Sequence, residues 1–220
     1  MANQEWDGVT RGATLKGEVT AIRHELADRA RAYDWPGVFD LLRQDPGMVN
    51  AIRPDGRSWY APLHQAAHGG APVEVVDRLV GLGAWRLLRT ADRDRPLDIA
   101  RRRGHRHLFE ILEPRPVHDV PAGELARIEE LFHEVIRGRA GQFVDEHQLR
   151  LPELAVLTEP ADSATWCPVP GMYGGFSFRF ADTGPGSRLV SESWCRVVGG
   201  SGQRHEITAE GARLVAEGFV

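Results

Sequence analysis

Two histidines, His64 and His68, stand four residues apart in the stretch APLHQAAHGG, residues 61–70. Positions i and i+4 of a helix share a face, so both imidazoles could reach one metal ion. A zinc-protease helix would carry a glutamate directly after the first histidine, and Gln65 stands there instead, so no metal is expected. A second constellation lies near the C-terminal end: Arg179, Glu192, Arg196, His205 and Glu206, with Tyr173 close in sequence. If Arg179, Glu192 and Arg196 share a sheet face, they could form a pocket holding an acid–base pair and an anion clamp. The competing expectation is cross-strand ion pairing on a wet sheet face. Cys167 and Cys195 have no nearby histidine to activate a thiolate, and a buried inert thiol is the expectation, above all for Cys195. A last group surrounds the turn RPDGRSWYAP, with Arg57, Trp59 and Tyr60, and an arginine cluster follows at Arg93, Arg95, Arg101, Arg102 and Arg103. Aromatic residues and arginine are frequent anchors of interfaces.

To act together these residues need elements that position them, and the first half of the chain repeats itself. PLHQAAHGG begins at Pro62 and PLDIARRRG begins at Pro96, an offset of 34 residues. Leu63 aligns with Leu97, Ala66 with Ala100 and Gly70 with Gly104. Each block runs on into an amphipathic stretch, VEVVDRLVGLGA and HLFEILEP, and a related helix lies earlier in DWPGVFDLLRQDPGMVN, residues 34–50. Proline is tolerated in the first helical turn, and glycine ends a helix because it takes left-handed angles without penalty. Upstream, Leu15, Val19, Ile22 and Leu26 recur at helical spacing and predict an N-terminal helix that either caps the series or opens its first repeat.

Pro-Leu-(His/Asp), a short helix, a glycine turn and a second helix, at a period in the low thirties, resembles the ankyrin repeat. The resemblance covers about residues 15–114, with Asp98 where the family usually has histidine and the extra residues SWYA before Pro62. It implies an N-terminal α-helical ankyrin-type solenoid, since one repeat alone cannot bury its apolar face. It also implies that His64 is structural, its ring bonded to backbone. His68 then falls at a variable surface position, with Arg102 stacked beside it. Arg57, Trp59, Tyr60, His68, Arg102 and Arg103 would form finger loops and a concave face that bind a protein partner carrying an acidic segment or another anion.

Beyond residue 114 the pattern changes. PRPVHDVPAG, residues 114–123, reads as a linker, and the apolar stripe of ELARIEELFHEVIRG predicts a helix over 123–137, giving a linker-and-helix segment at 115–140. Residues 141–220 read as a small antiparallel β-sheet domain with flanking helices. GGFSFRF alternates Phe176, Phe178 and Phe180 against Ser177 and Arg179, and RLVSESWCRVV, which puts Val197 on the side of Leu189 and Ser191, is a second strand. QRHEI supplies a third short strand, and LRLPELAVL could supply a fourth, which Pro152 would place at an edge or break. ADTGPGS and the GGSG at 199–202 are turns; the latter lacks a Walker lysine, so no phosphate loop is expected. Thr208 is placed as the cap of a closing helix, AEGARLVAEG, with Gly218 near its end. The fold class is therefore α+β.

Composition narrows the function classes. The 220 residues carry a net charge of −4, which argues against a dedicated nucleic-acid binder. No apolar run approaches the roughly 20 residues that span a bilayer, and MANQEWDGVTRG lacks the pattern of a signal peptide. A cytoplasmic protein with reduced thiols, no cofactor and no membrane partner is expected. The leading expectation is a protein–protein interaction protein. Its rival is a small-molecule enzyme built on Tyr173, Arg179, Glu192, Arg196, His205 and Glu206, with CPVPGMYGG as a covering loop and a site in the C-terminal domain or at its junction with the repeats.

Overall fold

The helices of the first half begin and end where local chemistry dictates. The computed structural model describes residues 4–161, 164–196 and 200–218. Helix α1 (Gly17–Arg31) stops at a tight turn, and Asp34 restarts the chain as the N-cap of α2 (Trp35–Gln44), accepting from the Gly37 N–H at 3.1 Å. Pro62 opens α3 (Pro62–Gly69) and Gly70 closes it at φ 65°; α4 (Val73–Gly81) follows. Pro96 opens α5 (Pro96–Arg103), which ends at Gly104 with φ 77°, and the short α6 (Phe109–Leu112) completes the series. Helices α1, α3 and α5 lie side by side, as do α4 and α6. Their seam is a core of Leu26, Leu42, Leu63, Leu79, Leu97 and Ile99, with Ala66, Ala67 and Ala100 small enough for close helix approach.

Two polar residues tie this unit across its loops. Asn50 donates to the Gly83 carbonyl at 2.9 Å and accepts from the Trp85 N–H at 2.9 Å. His64 does the same job between the loop before α3 and the loop after α4, as shown below. The expected stripe on α1 is used only in its second half: Leu26 is buried, while Val19 and Ile22 are 38% and 41% exposed.

The chain divides into two compact units, residues 9–114 and residues 4–8 with 115–218. Residues 115–121 belong to the second, where the Val117 and His118 N–H groups donate to the Thr158 carbonyl at 2.8 and 3.0 Å. The sheet has the order β1-β2-β3-β4-β5-β6, formed by β1 (Gln4–Glu5), β2 (Thr165–Val169), β3 (Gly174–Asp182), β4 (Arg188–Cys195), β5 (Ser201–Thr208) and β6 (Gly211–Gly218). β1 runs parallel to β2, and every other neighbour is antiparallel. Phe176, Phe178 and Phe180 are buried on one face, as their alternation predicts, and helix α7 (Ala122–His147) covers that face by packing Phe132 on Phe178 at 4.9 Å between ring centroids. On the opposite face Trp166 and Trp194 stack at 4.6 Å.

Three expectations for this unit are corrected. AEGARLVAEG is not a helix but forms the edge strand β6, because β5 offers it backbone partners from Gly202 to Thr208, with one register shift between Arg204 and His205. The Thr208 hydroxyl accepts from the Glu210 N–H at 3.3 Å, so it closes the β5–β6 turn instead of capping a helix. LRLPELAVL forms no strand; Leu154–Thr158 is a single 3-10 turn. The helix predicted over 123–137 runs on to His147 through Gly138 and Gly141, with a kink at Ala140, where φ is −136°. Val197 and Val198, expected in a strand, and Gly199, expected in a turn, lie outside the described residues.

The ends of the unit meet in a feature that periodicity does not announce. The buried Trp6 donates its indole N–H to the Arg150 carbonyl at 2.8 Å, and the Arg150 guanidinium lies 5.0 Å from the Trp6 ring. Arg150 also pairs with Glu153 at 2.7 Å, with side chains only 5% and 11% exposed.

Candidate functional site

His64 is fully buried and both ring nitrogens are engaged. Nδ1 accepts from the Ala61 N–H at 3.2 Å, so Nε2 carries the proton and donates to the Leu88 carbonyl at 3.0 Å. That leaves it no lone pair for a metal ion, and among the described residues no group of three His, Cys, Asp or Glu side chains is placed to hold one. In the next segment Asp98 replaces it, accepting from the Arg95 N–H at 3.0 Å and pairing with the Arg95 side chain. The Asp98 carboxyl is held below the usual carboxylate range, chiefly by that Arg95 hydrogen bond.

His68 has a different setting. The turn after α1 holds Tyr33 at φ 60°, the left-handed region where glycine is the usual residue. The neighbouring residues over-determine this turn: Asp34 caps α2, and Arg29 donates to Asp34 at 2.7 Å. The Tyr33 ring then lies on the bare Cα of Gly69, where an added Cβ would come within 2.3 Å of a ring carbon. Its hydroxyl sits 3.0 Å from His68 Nδ1. Arg103 donates to His68 Nε2, and a guanidinium can only donate, so Nε2 accepts and Nδ1 carries the proton toward the Tyr33 oxygen. Tyr60 closes the group, its ring 5.7 Å from His64 and 6.1 Å from His68. Burial, then the charges of Arg103, His105 and Arg102, hold the His68 ring below its ordinary pKa.

Tyr33, Tyr60 and His68 line a cleft of about 460 Å³, with Arg31, Arg53, Gln65, Ser58 and Asp92 also on its walls. Arg53 is paired with Asp28. Of the residues expected to contact a partner, Tyr60 and His68 line the cleft. Arg57 is exposed and Trp59 half-buried, and neither is among the lining residues. Arg103, not Arg102, is the neighbour of His68. Arg102 is turned to Asp94, which accepts from it at 2.6 and 3.1 Å. Tyr33, Arg31 and Arg53 are the residues that sequence reasoning missed. A signal for Tyr33 exists in RAYDWP: Asp34 and Pro36 mark a helix start, which leaves the tyrosine in the place of a helix-stopping glycine.

The C-terminal candidates do not converge. Register places Arg179, Val190 and Glu206 in one row and Ser177, Glu192 and Arg204 in the next, on the face away from α7. Glu206 sits between Arg188 and Arg213, each at 2.9 Å, and its carboxyl is held low chiefly by the Arg213 hydrogen bond. Glu192 faces Arg204 at 3.7 Å. His205 stands opposite Ser191, on the other face of the sheet. Tyr173 is 74% exposed in the β2–β3 turn, and its carbonyl accepts from the Arg196 N–H at 3.3 Å. This is cross-strand ion pairing rather than an acid–base pocket. CPVPGMYGG is no covering loop: Cys167 and Val169 are buried in β2. Burial first, and then Glu5 and Asp7, push the Cys167 thiol up to about 12, which keeps it protonated and inert. The Cys195 thiol donates to the Met172 carbonyl. No helix among the described residues is long and apolar enough to cross a membrane. Compared with known proteins, the chain matches no family model and no curated protein sequence.

Proposed function

We propose that residues 9–114 are an ankyrin-type interaction module, acting in the cytoplasm, that binds a protein partner by seating an acidic segment of it in the Tyr33–Tyr60–His68 cleft. Pro62 and Pro96 at helix starts, Gly70 and Gly104 at helix ends, and the row of α1, α3 and α5 support the ankyrin part of this reading. The observation that carries the binding part is Tyr33. A tyrosine in a left-handed turn costs stability that glycine would recover, and such strain collects at functional sites. Its ring and hydroxyl point at His68 and the cleft, not into the core. Arg53 and Arg102 are already paired with Asp28 and Asp94, so Arg31 on the wall and Arg103 on His68, set against Asp92, supply the positive charge that would attract a carboxylate.

The test uses the full chain and an array of acidic and charge-reversed dodecapeptides. The wild-type chain should retain acidic peptides in a salt-dependent manner. Tyr33→Gly, and separately Tyr60→Ala with His68→Ala, should lose them while the unfolding temperature stays close to wild type. Unchanged binding in both variants would rule out the cleft. Replacing Trp59, Tyr60, Arg102 and Arg103 together, followed by a pull-down, asks the same of the finger loops.

A further inference from the structure

The arginines around the Tyr33–Tyr60–His68 cleft are held in two different ways. Arg53 on its wall pairs with Asp28, and Arg102 pairs with Asp94 at 2.6 Å. Both acceptors are carboxylates, a type of group that keeps its charge through the neutral range. Arg103 is held by an imidazole instead. Its guanidinium donates to His68 Nε2, and no carboxylate among the described residues pairs with it.

An imidazole nitrogen accepts only while it carries a lone pair. The neutral His68 ring has one, at Nε2, because Nδ1 uses its proton on the Tyr33 oxygen 3.0 Å away. A second proton must therefore go to Nε2, where it removes the acceptor that holds Arg103. The Nδ1–H bond to Tyr33 survives the change. Protonation thus adds a charge to a ring that lines the cleft and releases a guanidinium beside it.

Burial opposes that step in the empty cleft, and so do the charges of Arg103, His105 and Arg102. These three come from α5 and the turn after it, with His105 Nε2 only 3.1 Å from the His68 carbonyl. Arg31 and Tyr33 face the cleft from the end of α1 and the turn beyond, Arg53 and Tyr60 from the segment before α3, and Asp92 from the α4–α5 loop. Asp92 is the single carboxylate among the described lining residues. A carboxylate entering from outside reverses the balance, because it is attracted by the imidazolium and by Arg31 and Arg103. Binding and protonation then favour each other by one and the same factor.

We propose that His68 makes the cleft a proton-gated site: on protonation it lets go of Arg103, and the imidazolium and the freed guanidinium together clamp a carboxylate of the partner's acidic segment. This rests on the reading of the cleft as the binding site. The module then holds its partner more tightly as pH falls.

The full chain is titrated at pH 7.5, 6.5 and 5.5 with a dodecapeptide of three aspartates among glycines and serines, whose charge is constant over that range. Its Kd should fall with pH, by at most about tenfold per pH unit for one coupled proton. His68→Gln, whose amide oxygen still accepts from Arg103 but takes no proton, should bind at its pH 7.5 level throughout, and the difference between the two profiles separates His68 from His105. In the free chain, ¹⁵N spectra of the His68 ring should show the Nδ1–H form at pH 7.5, and Arg103→Met should raise the pH at which the ring takes its second proton. Equal pH slopes in wild type and His68→Gln, or a flat wild-type profile, would overturn the gate and leave the cleft as a binding site. Failure of the peptide to bind at every pH would overturn the cleft reading and the gate with it. An Nε2–H ring, or an unchanged midpoint in Arg103→Met, would remove the release step on which the gate depends.

Discussion

The helical unit and the sheet unit dispose of their polar side chains in opposite ways. In the helical unit, polar groups close backbone at element ends: Asp34 on Gly37, His64 on Ala61 and Leu88, Asn50 on Gly83 and Trp85. Each has a local address set by a helix start or a loop. In the sheet unit the address is set by register. Charges pair across strands on one face, as Arg188, Glu206 and Arg213 do, while the other face carries hydroxyls that nothing among the described residues satisfies. A polar residue at a helix end is thus almost obliged to be structural, and one in mid-strand is whatever its neighbours make it. His64 and His68 show the limit of that rule within four residues of one helix: one is tied to backbone on both sides, and the other faces a cleft.

The comparison breaks first at the cores. Phe178→Ala should cost about 3–5 kcal/mol and Leu97→Ala about 2–5 kcal/mol. Hydrogen exchange should report the first loss in β3–β5 and the second in α3 and α5. Equal loss of protection in both units from either variant would mean that the division into units has no energetic content. Next come the backbone ties. His64→Ala orphans the Ala61 N–H and the Leu88 carbonyl, at about 1–3 kcal/mol for each buried group. Asp98→Ala, at the equivalent but half-buried position, should cost about 1 kcal/mol, as a lost cap does. Denaturant titration of both variants checks the order.

Tyr33→Gly separates strain from packing. It removes a left-handed penalty of about 1–2 kcal/mol and gives up ring contacts of similar size, so stability should change by no more than about 1 kcal/mol. Peptide binding, by contrast, should be lost. A large stability loss with binding intact would make Tyr33 structural and put His68 back beside His64.

The smallest effects are proton-linked. His68 and His205, one in each unit, both lie below the ordinary histidine value of 6.5, each chiefly through burial. The unfolded chain therefore binds protons more readily than the native one. The contribution of each ring is complete above pH 6.5 and is lost as pH falls below it. His68→Gln should flatten the acid limb of stability for residues 9–114, and His205→Gln that for the sheet unit, in unfolding curves from pH 7.5 to 5.

Much of the helical unit is legible along the chain, because proline, glycine and capping residues act through bonds to their own neighbours. Pro62, Pro96, Gly70 and Gly104 mark helix ends before any coordinate is known. The alternation of Phe176, Phe178 and Phe180 likewise names a strand and its buried face. Three other features are of a different kind. AEGARLVAEG is poor evidence for either helix or strand, and the open edge of β5 decides the matter. Trp6 meets Arg150 across 144 residues, and Tyr33 meets His68 across 35. By itself, then, the sequence determined where segments start, stop and turn their apolar sides, since those are set by backbone sterics and periodicity within a few residues. Only the tertiary structure decided which polar groups meet, because a hydrogen bond between distant segments depends on packing that no local pattern encodes.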